Sequence, residues 1–213
     1  MPKNKVKFNL KNVHYALLTL TDNVPSYGTP VPMPGAVSLS LDANGEPENF
    51  YADGIVYYVI NNNMGYDGDL ELAMIPESFR TDALGETLDA NGVLVESTES
   101  NLAAFALLFE FDGDQKHIRH VMYNCTASRP GIEGKTNEES KDVQTEKLAI
   151  KATPLPNGTV KSKTGDTTDA ETYAGWYSAV YLPSAEQASD TENNTETDPE
   201  PVTPTDPEEE GNG

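Results

Sequence analysis

Residues 50–79 read FYADGIVYYVINNNMGYDGDLELAMIPESF, and this stretch decides the fold class. Ile55–Ile60 is six consecutive β-branched or aromatic residues, a composition that favours a pleated surface. A continuous apolar run this short predicts a strand covered on both faces, a piece of core. Asn61, Asn62, Asn63 and Gly65 follow with turn chemistry. Tyr66, Gly68, Leu70, Leu72 and Met74 then alternate with Asp67, Asp69, Glu71 and Ala73, which predicts a strand with one buried and one acidic face. The two runs together predict a β-hairpin about the Asn/Gly segment. Pro76 and Glu77 suit the first turn of a short helix, and Gly85 suits its end.

The rest of the chain continues in strands. Val6, Phe8 and Leu10 alternate with lysines and Asn9, and His14–Leu20 predicts a second strand. Val37, Leu39 and Leu41 alternate with serines, and Asp42-Ala43-Asn44-Gly45 is a turn signal. Asn91-Gly92 is another, beside a short apolar run at 93–95. Phe105, Leu107, Phe109 and Phe111 share one face of a strand that turns through Asp112-Gly113-Asp114 into a partner at 116–128. Leu148, Ile150 and Ala152 mark a further strand, extended back to about Lys141 by the parity of Asp142, Gln144 and Glu146. A second helix is expected from Ala170 to Tyr181, capped by Thr168 or Asp169, with Tyr173, Trp176, Tyr177 and Val180 on one stripe. The fold class expected is mainly β: an antiparallel β-sandwich or open barrel with a flanking α-helix over residues 1–183. An acidic, Pro-containing tail at 184–213 should be disordered, because it has too little apolar surface to offset its ordering entropy.

Thirty-five acidic residues against fourteen basic ones give a net charge of −21. Ten of the acids lie in 184–213, where there is no Lys or Arg, so the body is acidic in its own right. Such a chain lacks the basic footprint of a nucleic-acid reader. No apolar run reaches the length of a membrane helix, and the N-terminus has no apolar signal core, so neither membrane insertion nor export is expected. The single Cys125 excludes an internal disulfide and reads as a buried strand thiol.

No motif carries catalysis. Gly134-Lys135-Thr136 resembles the end of a phosphate-binding loop, but Arg129 stands where its first glycine belongs, and the segment joins strands. His117 and His120, three apart on a strand, face opposite ways. Asp67/Asp69 and Asp112/Asp114 lack the calcium-loop pattern and read as turn chemistry. The expectation is a protein that is not an enzyme and takes neither cofactor nor metal.

Several segments, in order, resemble the major tail proteins of long-tailed bacteriophages. They are VKFNLKNVHYALLT at 6–19, YGTPVPMPGAVSLSLD at 27–42, the block at 50–80, FALLFEFDGD at 105–114, HVMYNCTASRP at 120–130 and GWY at 175–177. The resemblance spans about residues 3–183. It implies a tail-tube subunit, a β-sandwich with a flanking helix, polymerised as hexameric rings stacked into a hollow tube. DNA would pass through the lumen without specific binding. The implied partners are other copies, the tape-measure protein, and the tail terminator and distal tail proteins. The implied location is the virion, after assembly in the host bacterial cytoplasm. Some relatives append an immunoglobulin-like module, for which the residues after Pro183 are too few.

A tube wall that conducts DNA should not retain a polyanion. Strand faces bearing Asp69 and Glu71, or Asp142 and Glu146, are therefore the lumen candidates. Asp42–Asn49, with Asn44 and Gly45, and Arg129–Ser140, with Arg129, Gly131, Gly134 and Lys135, are the candidate assembly loops. The main alternative is a cell-surface β-sandwich adhesion module on an acidic stalk. A carboxylate-dependent hydrolase ranks third.

Overall fold

Thirteen strands and two short helices account for the regular structure of a computed structural model that describes residues 3–136 and 142–183. In chain order they are β1 (Lys7–Thr21), β2 (Val24–Tyr27), β3 (Val31–Pro32), β4 (Ala36–Asn44), β5 (Glu48–Ala52), β6 (Ile55–Ile60) and β7 (Gly65–Leu72). After α1 (Glu77–Asp82) come β8 (Thr87–Leu88), β9 (Leu94–Val95), β10 (Phe105–Gly113), β11 (Ile118–Ala127), β12 (Glu146–Ala152), β13 (Lys161–Lys163) and α2 (Ala170–Gly175). The expected disorder of 184–213 concerns residues outside those described.

The main sheet runs β2-β1-β10-β11-β12-β7-β4, with β3 beside β1 and β13 beside β11. Its described pairings are antiparallel. β1 and β4, far apart in this order, touch each other, so the sheet curls about its core. The fold is mainly β and antiparallel, as expected.

Period-two alternation on β10 sorts its side chains between two clusters. Phe105, Leu107 and Phe109 join the larger one with Val13, Tyr15, Leu70, Leu72, Met122, Leu148 and Ile150. Phe79 of α1 closes that cluster, edge-on to Tyr15 at 5.0 Å and to Phe105 at 5.2 Å. Ala106 and Leu108 face the other way, into a smaller cluster with Val121, Tyr123, Leu155 and Trp176. Trp176 directly follows α2, and Tyr177 and Val180 pack on the same cluster. Trp176, Tyr177 and Val180 of the predicted stripe therefore pack together, whereas Tyr173 lies against Arg119 instead, and the helix stops at Gly175 rather than Tyr181. Asp169 caps it by accepting the Thr172 N–H at 2.8 Å.

Cys125 is fully buried, and burial pushes its thiol up to about 12, so it is an inert core group. The two N-terminal strands expected at 6–10 and 14–20 are one strand, β1, bent by bulges at Asn9 and between Lys11 and His14. β12 begins at Glu146, not near Lys141; residues 142–145 are irregular and 137–141 lie outside those described.

The opening block departs most from expectation. β6 does not pair with β7. It pairs with β5, from Ala52↔Ile55 to Glu48↔Ile60. β7 instead pairs with β4 and β12. β4–β5 and β6–β7 are thus the two arms of one long hairpin whose tip is Asp53-Gly54. Both tip residues have positive φ, 51° and 76°. Two successive positive φ values at an Asp-Gly pair match the turn that suits strand twist. The near half of the hairpin lies in the main sheet, and the far half is a separate two-stranded ribbon. Ile55–Ile60 is exposed along its whole length, so it is not core.

Candidate functional site

The ribbon presents apolar side chains without a covering layer. Phe50, Tyr51, Ile55, Val56, Tyr57, Tyr58, Val59 and Ile60 are each between 42% and 70% exposed. A strand exposes alternate residues on opposite faces, so an exposed run of six means that both faces of the ribbon are uncovered. Its root is built from two facing backbone positions. Gly45 has φ 111° and Gly65 has φ 101°, values that side chains oppose. A Cβ on Gly45 would meet the Asn62 carbonyl oxygen at 2.4 Å, and one on Gly65 the Ala152 carbonyl oxygen at 1.9 Å. Glycine at both places sets where the ribbon leaves the sheet.

β7 carries an acidic row on the face opposite Leu70 and Leu72. Asp67 and Asp69 are exposed and Glu71 is half-buried. Across β4 they meet Asp42, Ser40 and Ser38, and across β12 they meet Lys151, Ala149 and Lys147. Thr145 Oγ1 donates to Glu71 Oε1 at 2.5 Å and Ser38 Oγ donates to Glu71 Oε2 at 2.8 Å. These hydrogen bonds, Thr145 first and then Ser38, with Lys147 adding charge attraction, hold the Glu71 carboxyl below its usual range. Asn44 Nδ2 donates to Asp67 Oδ2 at 2.9 Å, fixing the end of β4 before the ribbon.

Of the four carboxylates singled out in the sequence, Asp69 and Glu71 come together on this face. Glu146 has the parity of Leu148 and lies elsewhere. It accepts the Ile75 N–H at 2.6 Å and Arg80 Nη2 at 2.8 Å, while Arg80 Nη1 holds Glu86 at 3.1 Å. Asp142 is exposed ahead of β12, in a depression that it shares with Glu133, Gly134, Lys135 and Gln144.

The second candidate loop follows β11. Arg129 pairs with Glu96 at 2.5 Å, Gly131 and Gly134 are exposed, and Ile132 is fully exposed. The Lys135 N–H and carbonyl both bond the Gln144 side chain, at 2.9 and 2.7 Å, which ties Lys135 to the segment just ahead of β12. Of the first loop, Asn44 belongs to β4 and Glu48–Asn49 to β5, which leaves only 45–47 as connection.

Around His120 the fold gathers three lysines that sequence reasoning missed. Lys7, on β1, lies over the Phe111 ring at 4.6 Å, and Lys161, on β13, bonds Tyr66 Oη at 2.5 Å. Lys163 pairs in register with His120, which stacks on Phe109 at 5.0 Å. Burial first, then the charges of Lys163, Lys7 and Lys161, push His120 down to about 4. The alternation Lys161-Ser162-Lys163 was the available signal. On the other face of the sheet Arg119 Nε reaches buried Glu110 at 3.0 Å, its guanidinium 3.9 Å from the Tyr173 ring centre, and so fastens α2. Among the described residues no group of three His, Cys, Asp or Glu is placed to hold a metal ion.

No family model and no curated protein matches the chain. Several solved structures are similar to it. A sheath/tube terminator of an extracellular contractile injection system, in its extended state, is 6% identical with a TM-score of 0.42, over 76% of this chain and 99% of the other. A chain of the anti-feeding prophage baseplate is 10% identical with a TM-score of 0.44, over 78% and 99%. A chain of that particle's tube-terminating cap is 9% identical with a TM-score of 0.37, over 77% and 96%. Likeness at this level is a description of shape and carries no argument about function.

Proposed function

We propose that this chain is a structural subunit of a phage-type tail, and specifically the subunit that repeats to build the tail tube. The observation that carries the proposal is the β5–β6 ribbon, which displays eight large apolar side chains on a chain of net charge −21. Contiguous exposed apolar surface of this kind marks an interaction site, and burying each such side chain is worth about 1.5–3 kcal/mol. The occupant is a second copy. A ribbon that leaves one subunit and lies on the next makes a head-to-tail contact, and such contacts close into rings when the rotation allows. The sequence resemblance to major tail proteins agrees, and it supplies the hexameric ring, the stacked tube, and the tape-measure, terminator and distal tail proteins as partners. The role is architectural, in the virion, after assembly in the bacterial host.

In this reading the outer face of β7, with Asp67, Asp69 and Glu71, lines the lumen. Four acids including Asp42 outnumber Lys147 and Lys151 there, so a passing polyanion is repelled rather than held. Asp142, on its loop, is left as a second acidic contributor. Glu146 is occupied by α1.

Electron microscopy of the purified chain tests the proposal. Rings or hollow tubes are the expected result. Monomers that bind a glycan or a cell surface would replace it with the adhesion-module reading.

A further inference from the structure

The main sheet buries apolar side chains on both faces, and the two covers differ. The larger cluster lies within the curl and includes no residue beyond Val160. The smaller one, on the opposite face, is roofed by Trp176, Tyr177, Val180 and Tyr181. That roof is lightly attached. α2 has six residues, none of them buried, and a helix so short does not hold itself in water. Between 169 and 181 Trp176 is the one buried side chain. Three side-chain hydrogen bonds reach from this segment to the β10–β11 hairpin, and all are long. Tyr173 Oη donates to the His117 carbonyl at 3.2 Å, Tyr177 Oη to Glu110 Oε2 at 3.3 Å, and Trp176 Nε1 to the His120 carbonyl at 3.4 Å. The usual lengths are about 2.7–3.0 Å. Arg119 adds an Nη1 bond to the Tyr173 carbonyl and lies over the Tyr173 ring, and the His14 ring stands 4.7 Å from that of Tyr177.

The charged pair beneath this segment belongs to the sheet. Glu110 and Arg119 are register partners on β10 and β11, joined at 3.0 Å, and Asn12 of β1 donates to Glu110 Oε1 at 2.6 Å. Lifting the roof leaves the carboxylate paired, so no buried charge is orphaned. It also relieves the Tyr123 hydroxyl, which is buried in the smaller cluster, beside Ser162 and Tyr181, without a hydrogen bond of normal geometry. The chain leading into α2 changes from fixed to free at one point. Thr164 Oγ1 accepts the Arg119 N–H at 3.0 Å, and the Thr164 N–H donates to the Arg119 carbonyl at 2.9 Å. Gly165, Asp166 and Thr167 are exposed, in a turn that the Gly165 N–H closes on Thr168 Oγ1 at 2.8 Å.

We infer that residues 169–181 form a strap that lifts off the sheet as one unit, about a hinge at 165–168, while the curled core stays folded. Such a step costs less than global unfolding, because it leaves the larger cluster and the Glu110–Arg119 pair in place. The closed strap hides a second apolar face, made by Ala16, Ala106, Leu108 and Val121, and the open strap uncovers it. This device is independent of the tube reading.

Trp176 is the only tryptophan of the chain, so its fluorescence reports the strap, while far-UV circular dichroism reports the strands. The test is a urea titration of the full chain followed by both signals, at two well-separated protein concentrations. The Trp176 emission should shift to the red at lower urea than the loss of circular dichroism, with a midpoint that does not depend on concentration. Asp169→Ala removes the helix cap from within the strap and should raise the open population about fivefold. It should therefore lower the fluorescence midpoint and leave the circular dichroism midpoint where it was. Coincident transitions in the wild type would overturn the inference, because strap and sheet would then unfold together. A fluorescence midpoint that rises with concentration would also overturn it, since another copy would then be holding the strap down. Equal shifts of both midpoints in Asp169→Ala would make the strap part of the global fold and count against it in the same way.

Discussion

Arg80 Nη2 meets Glu146 Oε1 at 2.8 Å, and through this pair α1 is bolted to the start of β12. Glu146 also caps the Ile75 N–H, so one carboxylate serves two partners that α1 brings to it. Replacing Glu146 by Lys puts a cation against Arg80 and orphans that N–H. The expected result is a loss of about 2–4 kcal/mol, of the order seen when one member of a half-buried pair is removed. A shift of the urea midpoint checks this, and an unchanged midpoint would show that the pair is dispensable.

The ribbon predicts the opposite behaviour. Ile55→Asp with Tyr57→Asp alters side chains that touch no core cluster. Unfolding should move by less than about 0.5 kcal/mol, the usual range for exposed sites. Assembly should fail, leaving monomers in sedimentation velocity. Polymers of normal size from this variant would remove the ribbon from the interface.

Gly45→Ala and Gly65→Ala strain the root from its two sides. At Gly65 the new Cβ falls 1.9 Å from the Ala152 carbonyl oxygen, inside the main sheet. It should cost about 2 kcal/mol or more. At Gly45 the clash is with Asn62 in the ribbon's own connection. That variant should keep most of its stability and lose assembly, because the ribbon is re-aimed. Equal denaturation shifts for the two would argue against a root that is rigid on one side and free on the other.

Asp69→Lys places a cation in the middle of the acidic row, opposite Ser40 and Ala149. Particles built from it should form normal tubes and release DNA more slowly at low salt. Release kinetics indistinguishable from wild type would take the β7 face off the lumen.

His120 gives a pH dependence with a definite sign. Its folded value is about 4, below the ordinary 6.5, so the unfolded chain binds a proton that the native chain refuses between those limits. Stability is therefore full above about pH 6.5, falls as pH drops toward 4, and gains no further penalty from this residue below that. The loss is on the order of 3 kcal/mol. Midpoints measured from pH 7 to pH 4 should fall less in His120→Gln than in the wild type. Parallel curves would mean that another group carries the acid sensitivity.

Much of the sheet was legible because alternation survives in the sequence. Phe105-Leu107-Phe109 and Leu148-Ile150-Ala152 point inward as their spacing says, and Trp176, Tyr177 and Val180 pack where a helical stripe would put them. Ile55–Ile60 misled for a physical reason. An apolar run reports that a surface wants covering, and it does not say whether the cover comes from the same chain. The pairing error had a nearer remedy: Asp53-Gly54 between two β-rich runs is a strong hairpin signal, and it outranks the softer Asn61–Gly65 segment. The lysines around His120 were hidden because Lys7 is far in sequence from Lys161 and Lys163 and reaches the same histidine only through the pairing of β1, β10, β11 and β13.

The long hairpin also has a consequence in time. Its pairs close outward from Ala52↔Ile55 toward Ala36↔Leu72, each step following the last, whereas β1 must find β10 across a far longer stretch of chain, as at Leu17↔Phe105 and Lys7↔Gly113. Local contacts form early and distant ones late. We expect the sticky ribbon to exist before the core that carries it is finished. Synthesis at high local concentration, as on a crowded message, would then favour premature clumping. We expect the chain's negative charge, by mutual repulsion, to hold nascent copies apart until folding is complete.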